Sequence, residues 1–208
     1  MEIQFYGANC IGFSGKKFNI VVDDNLSELG LKSVAKSGDI ILQTFEQSPP
    51  EVEAKIIINS PGEYEVSNIS INGVSARAHI DEEGKKSATI YRLVIDDIRV
   101  AVVGHIYPEL TDDELEEVGT IDVLLVPVGG NGYTLDPIGA QKVIKSLEPK
   151  IIIPTHYADS KINYEVPQQP LEEALKALAL EPKETVDKLR LKDSDIGETA
   201  QLIVVRRS

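Results

Sequence analysis

Three histidines, His79, His105 and His156, are the only imidazoles in the chain. Each follows a run that reads as a buried strand: Ile69 to Val74 before His79, Ile98 to Gly104 before His105, and Ile151 to Thr155 before His156. Side chains at strand ends can converge on one rim of a sheet although they are far apart in sequence. Neutral imidazole is the commonest protein metal ligand. Three of them meeting at a point, with water in the fourth place, would make an open zinc site whose bound water has its pKa lowered to about 7. The expectation is that the three rings meet at one rim. A single histidine is more often a hydrogen-bonded structural residue than a ligand, and it is the coincidence of three that raises the question of a metal.

The composition limits the alternatives. A chain of 208 residues with 42% hydrophobic and 26% charged residues is long enough for one domain with a real core, so residues 1–208 are expected to form a single domain. A net charge of −13 argues against phosphate-backbone contacts, hence no nucleic acid, and against anionic membrane surfaces. Cys10 is the only cysteine, which excludes an intrachain disulfide and reads as a small buried hydrophobe. No apolar stretch approaches the roughly 18 residues of a membrane span. The start, Met1-Glu2-Ile3-Gln4-Phe5, reads as a strand and not as a signal peptide, so a cytoplasmic location is expected.

The elements that must position the histidines follow from pattern. Residues 2–6, 18–22, 39–44, 55–58, 66–74 and 89–95 are short β-branched or aromatic runs punctuated by Gly, Ser, Asp and Pro. Asp96-Asp97 reads as a tight hairpin turn returning into residues 99–103. Thr111 with Glu114 three residues on resembles a capping box opening a helix through Val118. Residues 123–128 and 150–154 are apolar on both faces, as strands covered on both sides must be. Helices are expected at about 136–147, where Pro137 suits the first position, and at 171–178, with a closing strand at 201–205. The Asp81-Glu82-Glu83 run reads as solvated loop. The segment 163–170 follows the His156 strand and is expected over the rim, as a lid or a contact between copies. Two sheets with helices outside fit this order, an αββα sandwich of the α/β class.

Five segments resemble, in order, the metallo-β-lactamase fold family and its small bacterial zinc-dependent hydrolases. They are Tyr6-Gly7-Ala8-Asn9-Cys10, Val21-Val22-Asp23-Asp24, Pro61-Gly62-Glu63-Tyr64-Glu65, Pro127-Val128-Gly129-Gly130 with Tyr133-Thr134, and Ile151 through Tyr157. The resemblance covers nearly the whole chain and implies the four-layer αββα sandwich. It also implies a His-x-His-x-Asp-His motif after the strand at 39–44. Phe45, Gln47, Pro49 and Pro50 stand at those four ligand positions. Phe and Pro cannot coordinate a metal, and Gln is a poor zinc ligand. Of the family's remaining ligand positions, His79 and His156 match histidines, and His105 stands where the resemblance places a metal-bridging Asp.

Two readings follow. In one, the fold survives without its two-metal activity, as a pseudoenzyme that binds a small molecule or a protein partner and carries no cofactor. In the other, His79, His105 and His156 hold one zinc ion in a remodelled hydrolase site, with Asp24 or Glu46 as base or supporting residue. In both, Asp24, Glu46, Gln47, Tyr133 and Tyr157 are expected around the pocket. No catalytic residue, substrate or homo-oligomeric state is readable, although a homo-oligomer is compatible with the chain.

Overall fold

A computed structural model describes residues 1–208. The chain opens with β1 (Glu2–Gly7), β2 (Cys10–Ser14), β3 (Asn19–Val22), β4 (Ile40–Leu42) and β5 (Ile56–Ile58). It continues through β6 (Gly62–Val66), β7 (Ile69–Ala76), β8 (Ala88–Ile95) and β9 (Ile98–Val102). Then come α1 (Asp112–Val118), β10 (Val123–Pro127), α2 (Pro137–Leu147), β11 (Ile151–Thr155) and α3 (Leu171–Leu178). Three strands close the chain: β12 (Pro182–Val186), β13 (Leu189–Arg190) and β14 (Gln201–Val205).

Two mixed sheets result, a six-stranded one in the order β13-β1-β2-β3-β4-β5 and an eight-stranded one in the order β12-β14-β11-β10-β9-β8-β7-β6. Alternation along each strand divides the apolar residues between layers. Ile3, Phe5, Ile11, Phe13, Ile20 and Leu42 of one sheet meet Ile71, Leu93, Val100, Leu125 and Ile153 of the other in a single core cluster. Their neighbours Ala101, Leu124, Val126 and Ile152 turn outward and pack under the helices with Val118, Val143, Leu147 and Leu178. β10 and β11 are buried at every position because both their faces are covered.

All three helices cover the eight-stranded sheet. The outer face of the six-stranded sheet, with Cys10, Val21 and Ile41, is covered by Leu26, Leu31, Val34 and Ala35 from the non-helical segment between β3 and β4. The architecture is the α/β two-sheet sandwich expected, with one outer layer made of loop. Cys10 is fully buried there.

The expected local signals are present at several places. Thr111 accepts from the Glu114 amide at 3.3 Å and Glu114 accepts from the Thr111 amide at 2.8 Å, closing the capping box. Asp136 caps α2 ahead of Pro137. Asp96 and Asp97 both take positive φ, 50° and 66°, as a hairpin turn of type I′ requires. The single strand expected at 66–74 is instead a hairpin: Ser67 and Asn68 also take positive φ, 55° and 62°, and reverse the chain between β6 and β7. β2, β12 and β13 gave no clear signal; β12 is exposed along nearly its whole length, so burial leaves little alternation in it. No helix is long and apolar enough to cross a membrane.

Candidate functional site

Strands β9, β10 and β11 run parallel, and β7 shares their direction through two antiparallel neighbours. Their C-terminal ends therefore lie on one rim, which is where α/β sheets usually bind ligands. His79, His105 and His156 follow β7, β9 and β11 onto it. The rim of the six-stranded sheet meets it, with the Thr89 amide donating to the Thr44 carbonyl at 2.8 Å.

Two of the three imidazoles come together. The His105 and His156 rings stand edge to face with centroids 4.7 Å apart. Tyr133 lies edge-on to His105 at 4.8 Å and Phe45 at 5.1 Å, so His105 sits in an aromatic box. His79 is joined to this group by its backbone, its amide donating to the His105 carbonyl at 2.8 Å. Its ring turns instead toward Tyr107, 6.4 Å away. No three His, Cys, Asp or Glu side chains gather closely enough to hold a metal ion. The three-imidazole cluster expected from the sequence is not assembled as a ligand set. The donor types suit zinc and their arrangement does not.

Each of the paired rings is held by an amide. Asn9 Nδ2 faces His105 Nε2 at 3.2 Å, and Asn9 Oδ1 accepts from the Thr155 hydroxyl at 3.0 Å. Gln168 Oε1 meets His156 Nδ1 at 3.1 Å, which places a proton on that nitrogen. Burial, with His156 and His79 nearby, holds His105 well below the usual imidazole range, and burial pushes His156 down to about 4. Both rings are neutral at pH 7. Nδ1 of His105 and Nδ1 of His79 are buried and find no hydrogen-bond partner.

Residues at the expected motif positions are engaged in packing and hydrogen bonds. Gln47 donates through Nε2 to Asp23 Oδ1 at 2.7 Å. Asp23 also accepts from the Thr44 amide at 2.7 Å and the Thr44 hydroxyl at 2.5 Å. It is wholly buried at φ 51°, and burial outweighs those hydrogen bonds to push its pKa up to about 6. Gly104, at φ 57°, lies against this Thr44 side chain, where a Cβ would stand 2.2 Å from its hydroxyl. Gly129 makes the corresponding approach to the other histidine, for a Cβ there would meet the His156 carbonyl at 2.0 Å.

Several expected pocket residues sit elsewhere. Asp24 accepts from the Ser33 hydroxyl and the Val34 and Ala35 amides, holding the outer loop together. Its neighbour Asp23 takes the inward position, because adjacent residues at a strand end face opposite ways. Tyr157 packs on Phe5 at 5.5 Å in the core between the sheets, and burial raises its pKa to about 12. The ring over His156 is that of Tyr164, at 5.0 Å, whose hydroxyl donates to the Tyr157 carbonyl. Glu46 and Tyr133 line a cleft of about 270 Å³ beside His105, together with Phe45, Ile80 and Lys85. Asp81, expected in solvent, is buried at its edge. It accepts from the Ala78 and Ser87 amides and pairs with Lys85 at 3.2 Å, its pKa lowered to about 2 because those hydrogen bonds outweigh desolvation.

The segment 163–170 does lie over the rim, as a pinned strap. The Gln169 amide donates to the Gly129 carbonyl at 2.8 Å, the Ala158 amide to the Gln169 carbonyl at 2.9 Å, and the Asn131 side chain to the Pro167 carbonyl. Asn9, Asp23, Tyr164 and Gln168 were not legible as site residues. Only Asn9 and Asp23 carried a signal, since both fall in segments that resemble the family.

The comparisons with known proteins agree with this fold. The family model described as a β-lactamase superfamily domain matches residues 2–156. A metal-dependent hydrolase of Thermoplasma volcanium is 30% identical over 190 residues, spanning 76% of this chain and 83% of its own. A metal-dependent hydrolase of Thermoplasma acidophilum matches to the same extent, 30% over 190 residues. A protein of Thermotoga maritima, assigned to the Zn-dependent hydrolases of the metallo-β-lactamase superfamily, superposes with a TM-score of 0.79 at 26% identity, covering 99% of this chain and 98% of its own. A metallo hydrolase of Ignicoccus hospitalis shares the fold, with a TM-score of 0.62 at 15% identity over 100% of this chain and 95% of its own. The chain belongs to the metallo-β-lactamase superfamily.

Proposed function

We propose that this protein is a member of the superfamily without two-metal hydrolysis, whose former metal pocket binds a small molecule in the cleft beside His105. One observation carries the reading: Nε2 of His105, at the position the resemblance gives to the bridging ligand, is engaged by the Asn9 amide at 3.2 Å. The motif positions support it. Phe45 packs on His105, Gln47 is spent on Asp23, and Pro49 and Pro50 offer no donor atoms. A cleft lies beside His105, with aromatic walls and polar groups at its edge, as ligand pockets generally have.

A second reading is favoured by a different observation. Nδ1 of both His79 and His105 is buried without a partner, and a single zinc ion joined by His156 would satisfy them once the His79 ring turned from Tyr107 toward the other two. The two readings separate in one experiment. Protein purified without nickel resin is analysed for metals and melted with and without added zinc. The expected result is no stoichiometric zinc and no zinc-dependent change in melting temperature. One zinc per chain, with a rise in melting temperature that His105→Ala abolishes, would establish the second reading, because a ligand stabilises only the state that binds it.

A further inference from the structure

We propose that the end of the sandwich opposite the histidines is a second binding site, for a small organic anion whose charged head meets Lys16 and Lys17 and whose apolar body enters between the sheets. The site shares no residue with the cleft beside His105 and does not depend on the reading given for that cleft.

The topology gathers three turns there. β1 ends next to Asn9, which contacts His105, so the start of β1 and the turn from β2 to β3 lie at the far end. β7 runs toward the histidines, so the Ser67-Asn68 turn before it and the Asp96-Asp97 turn after β8 lie at the far end as well. These turns and Arg190 of β13 surround a cavity of about 740 Å³, against about 270 Å³ for the cleft beside His105. Its floor is the end of the core between the sheets: Ile69 and Ile95 belong to that cluster, and Met1 and Phe18 pack against it. Gly15 leaves room for this, since a Cβ there would collide with the Phe18 ring.

The charges decide the class of ligand. Around the cavity Lys16, Lys17 and Arg190 face one carboxylate, Asp96, in a chain whose net charge is −13. Asp96 is held by the Met1 ammonium at 3.1 Å. Arg190 pairs with Glu2 at 2.9 Å and Lys188 reaches the same carboxylate at 3.5 Å, so one anion there serves two cations. Lys16 and Lys17 enter none of the ion pairs of the fold. They are adjacent and exposed in one turn, and no carboxylate of the chain offsets their mutual repulsion. A concave surface of one charge sign above an apolar floor focuses the field and draws ions of the opposite sign. The flexible lysine stems let both ammonium groups close on an anionic head without a preset geometry. A cation is repelled here, and a neutral molecule gains from the floor alone. The floor adds the need for an aliphatic body, whose burial supplies affinity in proportion to its area. The volume lies in the range of small-molecule sites.

Octanoate, octanol and octylammonium share an aliphatic chain and differ in the head; acetate has the head of octanoate without the chain. Each is titrated into the full chain, with the backbone amides followed by ¹⁵N NMR. Octanoate should bind at least about tenfold more tightly than the other three, with its largest shifts at the amides of residues 15–18, 67–69 and 96. Raising the ionic strength from about 0.01 M to about 0.1 M should weaken octanoate more than octanol, because exposed charges are screened. Lys16→Gln combined with Lys17→Gln removes two exposed charges and leaves the floor intact, so it should bring octanoate down to the affinity of octanol at an unchanged melting temperature. The proposal is overturned if octanoate does not bind, if octanol or octylammonium binds as tightly, if the shifts fall on other amides, or if the double variant keeps the preference for octanoate.

Discussion

Asp23 makes stability depend on pH in the direction opposite to most carboxylates. It is wholly buried, and although Thr44 and Gln47 donate three hydrogen bonds to it, its pKa rises from 3.8 to about 6. Below about pH 4 the group is protonated in both folded and unfolded states and costs nothing. As pH rises toward 6 the unfolded chain releases the proton and the folded one keeps it, so stability falls. Above about pH 6 the folded state carries a buried anion, at a cost of about 3 kcal/mol. In a chain of this length that corresponds to about 6–12 °C in melting temperature. Asp23→Asn keeps an oxygen for the Thr44 amide and Gln47, which share Oδ1, and its amide nitrogen in place of Oδ2 can donate to the Thr44 hydroxyl, which accepts as well as donates. Urea unfolding of both proteins between about pH 4 and about pH 7.5 measures the effect. The stability of the variant relative to wild type should grow by about 3 kcal/mol across that range, at constant m value. Comparing the two removes the contribution of other carboxylates. A difference that stays flat with pH would refute the reasoning, for it would mean that Asp23 ionises as freely when folded as when unfolded.

Asp81 should behave in the opposite sense: its lowered pKa contributes stability above about pH 4 that is lost as pH falls toward about 2, so Asp81→Asn should destabilise at neutral pH and have little effect near pH 2 in thermal melts. Gln168→Ala leaves the His156 Nδ1–H buried and unpaired and should cost about 1–3 kcal/mol by urea unfolding, with faster hydrogen exchange at the Ala158 and Gln169 amides that hold the strap. Thr111→Ala removes one arm of the capping box and should cost about 1 kcal/mol, measured the same way. Gly129→Ala places a methyl group against the His156 carbonyl and should lower the melting temperature and disturb the His156 ring signals in NMR.

The chain's sequence determined what depends on near neighbours. The capping box at Thr111 and Glu114, the Asp96-Asp97 turn and the helix at 171–178 are local bargains between adjacent residues, and alternation marked which strands are buried. The resemblance to a family supplied the fold and the ligand positions at which Phe45, Gln47, Pro49 and Pro50 stand. The placing of His79, His105 and His156 after three strands brought them to one rim. Tertiary structure alone decided which side chains meet there. Asn9 reaches His105 across 96 residues of chain and Thr155 across 146, and neither contact has a periodicity to announce it. Asp24 looked as eligible as Asp23, but a one-residue difference at a strand end turns one carboxylate inward and the other out. His79 shares a backbone hydrogen bond with His105, yet its ring goes to Tyr107, because side-chain torsions are settled by packing and not by position along the strand. Strand ends bring residues to the same rim, and the directions of their side chains decide whether they form a site.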